Sequence, residues 1–348
     1  MYMISETDSK IVLEIVNKYE PVILFRIEDK RFIIHTSSSA IDYMKFRKLK
    51  KELEEKGFFV IAKPYTFSSD YYYEIFRMKI DYSSSNLIPL LLFIVNSITV
   101  FLAGYFIFFK ANISFALIYT FALLSILGIH ELGHYLMARS YGLKVSLPFF
   151  IPGFPFGTFG AVIRLREPFV DRFQSFDVGI SGPLLGLIPC VIYLILGINF
   201  STFTNEINQD ALQYVPFILQ LIFSQYFPQN ATVLLHPFAF AAFLGLIITF
   251  LNMTPVAQLD GGHVINSFLG NRNSLKLLAA FISIIVLIYT DFLAMAFLAI
   301  FLLFYRIEPL NMVSNVDKKR KIITALFLLI WILLAPWPLS SYKLSALK

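Results

Sequence analysis

The stretch His130-Glu131-Leu132-Gly133-His134 sets two imidazoles four residues apart with a carboxylate between them. On a helix, positions i and i+4 share a face, so both rings can meet a single divalent ion. Glu131 is offset from that face and can reach a water on the ion rather than the ion itself. This residue set suits metal-assisted hydrolysis, with the carboxylate as general base. The stretch also ends an apolar run, and ionisable groups at membrane depth are costly enough to mark function by default.

Two histidines and a water leave a catalytic metal one protein ligand short. The third should be His, Asp or Glu at matching depth. The best candidate is Asp260, in the stretch Asn252-Met-Thr-Pro255-Val-Ala-Gln-Leu259-Asp260-Gly261-Gly262-His263. Pro255 disrupts the span that precedes it, and the two glycines allow a bend, so Asp260 can turn back toward the histidines. A carboxylate also offsets positive charge in a low-dielectric place. Taken alone, Asp-Gly-Gly is a common turn pattern. The pairing with the histidine motif singles Asp260 out.

The elements that must bring these residues together lie in a membrane. Of 348 residues, 57% are hydrophobic and only 15% charged, against about 25% charged in a soluble domain. Mean hydropathy is +0.69. Such a chain has too little polar surface to cover itself in water. Disorder, a collagen-like fibre and a disulfide scaffold are excluded. The single Cys190 cannot form an intrachain bridge and lies in an apolar run, so redox chemistry is not expected. The net charge of +6 does not point to nucleic acid, because the basic residues cluster beside apolar spans.

Residues 1–86 hold 14 of the 29 Lys+Arg and 13 of the 23 Asp+Glu. They read as a small soluble cytosolic α+β domain, regulatory or substrate-selecting in role, since no catalytic or metal constellation lies in it. A helix is expected over 5–19, a hairpin over 21–28 and 31–36 turning at Asp29-Lys30, a charged helix over 40–56 stopped by Gly57, and strands over 58–62 and 71–80. His35 reads as an ordinary histidine at a strand end. No apolar run opens the chain, so no cleavable signal peptide is expected.

From residue 87 onward the chain reads as an all-α, polytopic transmembrane body of about seven helices. A span needs roughly 20 apolar residues, which places helices at 88–109, 113–138, 177–199, 236–255, 275–290, 292–305 and 322–339. Asp291 separates the fifth and sixth, read as a tight hairpin. With the N-terminal domain in the cytosol, the cytosolic connections carry twelve Lys/Arg, from Arg139 to Lys321, and the outer side only three: Lys110, Lys343 and Lys348. This asymmetry supports a multi-pass protein of the cell membrane with its head inside. Residues 144–168 are too broken by Pro and Gly for a helix and too apolar for a solvated loop. They read as a β-hairpin or re-entrant element, tolerated at depth only where protein or a watery cavity satisfies its backbone. Residues 200–235 read as an outer interfacial segment, and His236 as an interfacial residue.

The combination of HELGH in one span and Asn-x-x-Pro-x-x-x-Leu-Asp-Gly in a later one resembles the site-2 protease family of intramembrane zinc metalloproteases. Gly179-Ile-Ser-Gly182-Pro183-Leu-Leu-Gly186 resembles that family's small-residue stretch, and GTFGAVIRLREP its linker between the first two core spans. The resemblance covers about residues 113–265, a three-helix catalytic core, and is to archaeal and bacterial-type members without a PDZ domain. It implies one zinc per chain held by His130, His134 and Asp260, with Glu131 as base, near the cytosolic face. His263 could compete as a ligand, but the family pattern puts the ligand at the aspartate. No other cofactor is expected.

The implied reaction is hydrolysis of a peptide bond in a transmembrane protein substrate within the lipid bilayer, as in regulated intramembrane proteolysis. An intact substrate helix hides its carbonyls in i→i−4 bonds, so the substrate must unwind locally. The glycine-rich 144–168 element could offer it a strand edge. Asn252 is the candidate substrate-binding residue: its amide could hold the substrate backbone or the developing oxyanion. Gly179, Gly182 and Gly186 read as a face for close helix packing. A membrane transporter, or a non-catalytic scaffold with a buried metal site, is the alternative. Paired half-repeats are not evident, and the complete motif including Glu131 disfavours a scaffold. Nucleic-acid partners are not expected, and homo-oligomers are left open.

Overall fold

The computed structural model describes residues 5–37, 41–65, 71–77, 86–204, 215–256, 258–270, 272–290, 292–302, 309–311, 313, 316–337 and 343–347. Asp291, Arg306 and Lys348, used above in the topology argument, lie outside the described residues.

The N-terminal elements are α1 (Glu6–Tyr19), β1 (Val22–Glu28), β2 (Arg31–Thr36), α2 (Tyr43–Glu55), β3 (Phe58–Pro64) and β4 (Tyr71–Arg77). Helix α1 starts where a reciprocal cap forms. The Ser5 hydroxyl accepts from the Asp8 amide at 3.1 Å, and the Asp8 carboxylate accepts from the Ser5 amide at 3.0 Å. Asp29 and Lys30 both take positive φ, 44° and 65°, the two-residue turn whose twist matches a hairpin. The strands make one antiparallel sheet in the order β1-β2-β4-β3. Apolar residues of the two helices (Val12, Val16, Phe46, Leu53) meet Phe32, Ile34, Val60 and Ile75 of the sheet in a core of their own. Buried Glu20 is satisfied there by the hydroxyls of Tyr71 at 2.5 Å and Tyr73 at 3.1 Å. Burial pushes the Tyr71 phenol up to about 12, so it remains a donor at neutral pH.

The body begins with α3 (Leu87–Leu102), which runs into a π-helical turn over Ala103–Phe108, and continues with α4 (Ile113–Ser140). A hairpin of β5 (Phe149–Gly153) and β6 (Gly157–Val162) leads to α5 (Arg172–Ile198). Then come β7 (Thr202–Thr204), β8 (Val215–Pro216), α6 (Phe217–Tyr226), β9 (Thr232–Leu235), α7 (Pro237–Asn252) and α8 (Asp260–Leu269). The chain closes with α9 (Asn273–Tyr289), α10 (Leu293–Leu302), α11 (Lys318–Leu334), β10 (Pro336–Trp337) and β11 (Lys343–Ala346). Among the described residues, three helices, Leu87–Phe108, α4 and α5, are long and apolar enough to cross a membrane. The 28 residues of α4 extend about 42 Å at the helical rise. These helices also turn large apolar side chains outward: Phe106, Phe121 and Ile195 are more than half exposed. That surface suits lipid and would be a liability in water.

Three features differ from the sequence reading. The description all-α needs correction, because residues 200–235 do more than lie at an interface. Strands β7 and β9 join β11 in a three-stranded sheet, with β9 and β11 parallel, and β8 pairs with β10. Strands of two to four residues carry no readable period, and the partners of β8 and β9 in β10 and β11 lie more than a hundred residues away. The fourth span, expected to run to 255, ends as α7 at Asn252. Asp260 opens a separate helix, α8, that was not anticipated, because the Pro255 break and the Gly261-Gly262 pair masked its period.

Leu53 is fully buried in the head core. Leu53→Ala should cost about 2–5 kcal/mol. In the detergent-solubilised full chain, trypsin should then cut within residues 1–77 faster than in wild type while zinc content is unchanged. Equal cutting rates would contradict a core centred on this residue.

Candidate metal centre

Helices α4, α5 and α8 build the site. His130 and His134 stand one above the other on α4, and Asp260 is the first residue of α8. His130 Nε2 and His134 Nε2 lie 3.1 Å apart, and each is 3.2 Å from Asp260 Oδ2. Both imidazoles are buried. The ring of His134 is fixed by its Nδ1–H, which donates to the Val178 carbonyl at 2.7 Å, leaving the Nε2 lone pair for an ion. Asn252 Nδ2 lies 3.3 Å from His130 Nε2. Glu131 is buried beside the pair and lines the same cavity as Ile163, the residue that follows β6.

The donor set fits zinc. Zinc takes imidazole nitrogen and carboxylate oxygen at about 2.0–2.2 Å in tetrahedral geometry, which puts neighbouring donors about 3.3 Å apart. The three separations here are within about 0.2 Å of that. Two unprotonated ring nitrogens and a carboxylate oxygen, aimed at one another with water largely excluded, repel unless a cation sits among them. A group of this kind, with all ligand atoms within 4.8 Å of one another, can hold a metal ion.

Small residues bring the helices this close. Gly179, Gly182 and Gly186 form one face of α5, and each lies under a site residue. A Cβ on Gly182 would collide with the His134 imidazole, one on Gly186 would come within 3.0 Å of His130 Cβ, and one on Gly179 within 2.8 Å of His263 Cβ and 3.1 Å of the Asp260 carbonyl. A Cβ on Gly261 would collide with the Met253 carbonyl, so this glycine permits the tight return from α7 to α8 that delivers Asp260. The sequence reading found the glycine face but took it as packing. Its i, i+3, i+7 spacing carried the signal, and only the docking of α4 on α5 shows what it faces.

The centre opens into a cavity of about 870 Å³. Its walls include Asn252, His263, Phe149 and the run from Ala161 to Phe169. His263 is not among the three converging donors. Its Nδ1 lies 3.3 Å from the Ser175 hydroxyl and its ring meets Phe169 edge-on at 5.3 Å. His236 caps α7 and His35 stacks on Tyr65 and Tyr72 in the head, so neither approaches the centre.

A two-histidine, one-carboxylate donor set with an adjacent glutamate, spread over α4 and α8, is the constellation of metal-dependent peptidases. Comparison with known proteins agrees. Residues 118–298 match the model of Peptidase family M50, and the chain belongs to that family, the site-2 proteases. It is 30% identical over 188 residues to the probable zinc metalloprotease EGY2, chloroplastic, of Arabidopsis thaliana, covering 52% of this chain and 33% of the relative. It is 32% identical over 167 residues to the probable zinc metalloprotease EGY1, chloroplastic, of the same plant, covering 45% and 30%. With the rice (Oryza sativa subsp. japonica) EGY1 it shares 34% over 166 residues, covering 44% and 28%. The chain thus spans about a third of the length of these curated relatives.

Gly182 and Gly128 give a paired test. Gly182→Ala adds a methyl where the His134 ring sits, whereas a Cβ on Gly128 of α4 meets nothing within 4 Å. Zinc affinity of the purified protein should fall about 10–100-fold in Gly182→Ala, as when a ligand's support is disturbed, and hold in Gly128→Ala. Equal zinc content in both variants would contradict the helix docking described.

Proposed function

We propose that the chain is an intramembrane zinc metalloendopeptidase that hydrolyses peptide bonds of transmembrane protein substrates in the bilayer. The observation that carries this reading is the 3.1–3.2 Å convergence of His130, His134 and Asp260 with Glu131 next to it. His130, His134 and Asp260 would hold one zinc ion, which supplies a more acidic water and polarises the scissile carbonyl. Glu131 takes a proton from the attacking water at its carboxylate and later delivers it to the leaving nitrogen. Asn252, whose amide reaches His130 Nε2, is sited to donate to the substrate backbone or the developing oxyanion, a contribution worth about 10²–10³-fold in rate. Val178 O orients His134 through Nδ1–H.

Strand β6 continues directly into the cavity wall at 163–168. An unwound substrate pairing with this edge would be led past Glu131 in extended form. Residues 1–86 are proposed as a soluble cytosolic domain and 87–348 as the transmembrane protease domain, with its core at about 113–265. The N-terminal side and the cavity would face the cytosol of a cell membrane crossed about seven times, as in regulated intramembrane proteolysis. The Lys/Arg asymmetry along the sequence supports this orientation. A transporter reading is not favoured, because the polar groups of the body gather at one hydrolase-like centre.

Glu131→Gln separates base from ligand. Cleavage of a membrane-spanning peptide should fall about 10²–10⁴-fold with zinc content equal to wild type, and chelation followed by zinc should abolish and restore wild-type cleavage. Full-rate cutting by the variant would exclude Glu131 as base. Val162→Pro removes one backbone amide from β6 where it pairs with Phe149 of β5 and should slow cleavage without loss of zinc; cleavage at the wild-type rate would remove the strand-pairing step.

A further inference from the structure

The head reaches into the wall of the catalytic cavity. Residues 167–169 line that cavity, and the chain from there to α5 is shared between two cores. Phe169 is buried in the body among Ala138, Leu143 and Val178, while the next residue, Val170, is buried in the hydrophobic core of the head together with Leu310. Consecutive residues of an extended segment point opposite ways, and here the two directions lead to two different cores. Backbone bonds extend the head sheet onto this segment. The Ala62 amide of β3 donates to the Leu310 carbonyl at 2.6 Å, the Leu310 amide to the Phe169 carbonyl at 2.8 Å, and the Asn311 amide to the Val170 carbonyl at 2.8 Å.

Side chains of α2 add two struts. Arg47 Nη2 donates to the Tyr141 carbonyl at 3.0 Å, at the C-terminal end of the helix that carries both histidines. Lys50 Nζ lies 3.6 Å from Glu167 Oε2 and 2.9 Å from Glu54 Oε1, with the Lys50 side chain 9% and Glu167 11% exposed. Glu167 in turn accepts from the Lys144 amide through Oε1 at 2.8 Å, closing the cytosolic end of the hairpin that leads to β5 and β6. The ammonium thus lies between Glu54 and Glu167, and Glu167 is held from two sides, by this charge and by the Lys144 amide; a buried charge pair is costly to break from one side.

We propose that the head is a positioning element of the catalytic cavity, with Lys50 acting through Glu167 to hold the 163–171 wall in its working geometry, so that events on the head control cleavage. This rests on the peptidase reading above. A wall that guides the substrate past Glu131 has little tolerance: a shift of about 1 Å can cost 10²-fold in rate. Lys50 is a positioning residue and touches neither substrate nor metal.

The test uses the full chain in detergent or proteoliposomes and two readouts, one independent of activity. In Lys50→Met, backbone amides of 163–171 should exchange hydrogen faster, and kcat/KM for a membrane-spanning peptide should fall about tenfold or more, with zinc content held. Lys50→Arg should restore both. Glu167→Gln keeps an acceptor for the Lys144 amide but loses the charge that Lys50 needs. It should reproduce the defect, and the double variant Lys50→Met/Glu167→Gln should be no worse than either single one. Unchanged exchange in Lys50→Met overturns the clasp whether or not the chain cuts peptides. Faster exchange with wild-type cleavage overturns the control of catalysis, and effects that multiply in the double variant overturn the shared route. A wild type that binds zinc yet never cuts contradicts the peptidase reading, while the exchange result still decides the clasp. Should Lys50→Met not accumulate folded, Arg47→Ala is read in the same way, and wild-type exchange and cleavage there overturn the proposal.

Discussion

Three lone-pair donors held within 3.2 Å of each other, the two imidazoles buried and the carboxylate half-buried at the cavity, form the constraint on which the rest of the structure depends. Nothing about two ring nitrogens and a carboxylate oxygen favours that closeness by itself. Protons or a cation must occupy the space between them, and the tetrahedral spacing matches a zinc ion. Every neighbouring choice supports the trio. The Val178 carbonyl fixes one ring, and the Asn252 amide stands by the other. The return from α7 to α8 runs so tight at Gly261 that no side chain fits there.

Close helix contact comes next. In lipid, helices gain little from the hydrophobic effect, so they pack through small residues that let backbones approach. Helix α5 uses this twice over, since its glycines bring α4 near and also leave room for the imidazoles. Gly133 of α4 shows the same economy from the other side: a Cβ there would lie 2.5 Å from the Ser181 carbonyl. Centre and helix packing are thus one arrangement, and a change to either is felt in the other.

Much of this was legible in the residues. The four-residue spacing of His130 and His134 needs only a helix to become geometry, and their surroundings are apolar enough to guarantee one. The head elements were readable from alternation, from the Asp29-Lys30 turn and from Gly57. Asp260 was legible as a candidate but not as the opening residue of its own helix, because a proline and two glycines in nine residues erase the period. The three-stranded sheet of β7, β9 and β11 was illegible. Its strands are three or four residues long and β11 finds its partner across more than a hundred residues of chain. The junction of head and body escaped for a related reason: Lys50, Glu167, Val170 and Leu310 are far apart in sequence, and none is unusual in its local context.

The head and the body meet at the segment that walls the cavity, so the N-terminal elements are connected to the centre. The account stands or falls on the ion and its donors. Zinc K-edge absorption on the purified full chain tests this most directly. The expected first shell is nitrogen and oxygen only, four or five atoms at about 2.0–2.2 Å, with the outer-shell scattering of two imidazoles. Their loss in a His130→Ala/His134→Ala chain should accompany loss of the metal. A shell with sulfur, a shell without imidazole, or a chain that takes up no zinc would contradict it.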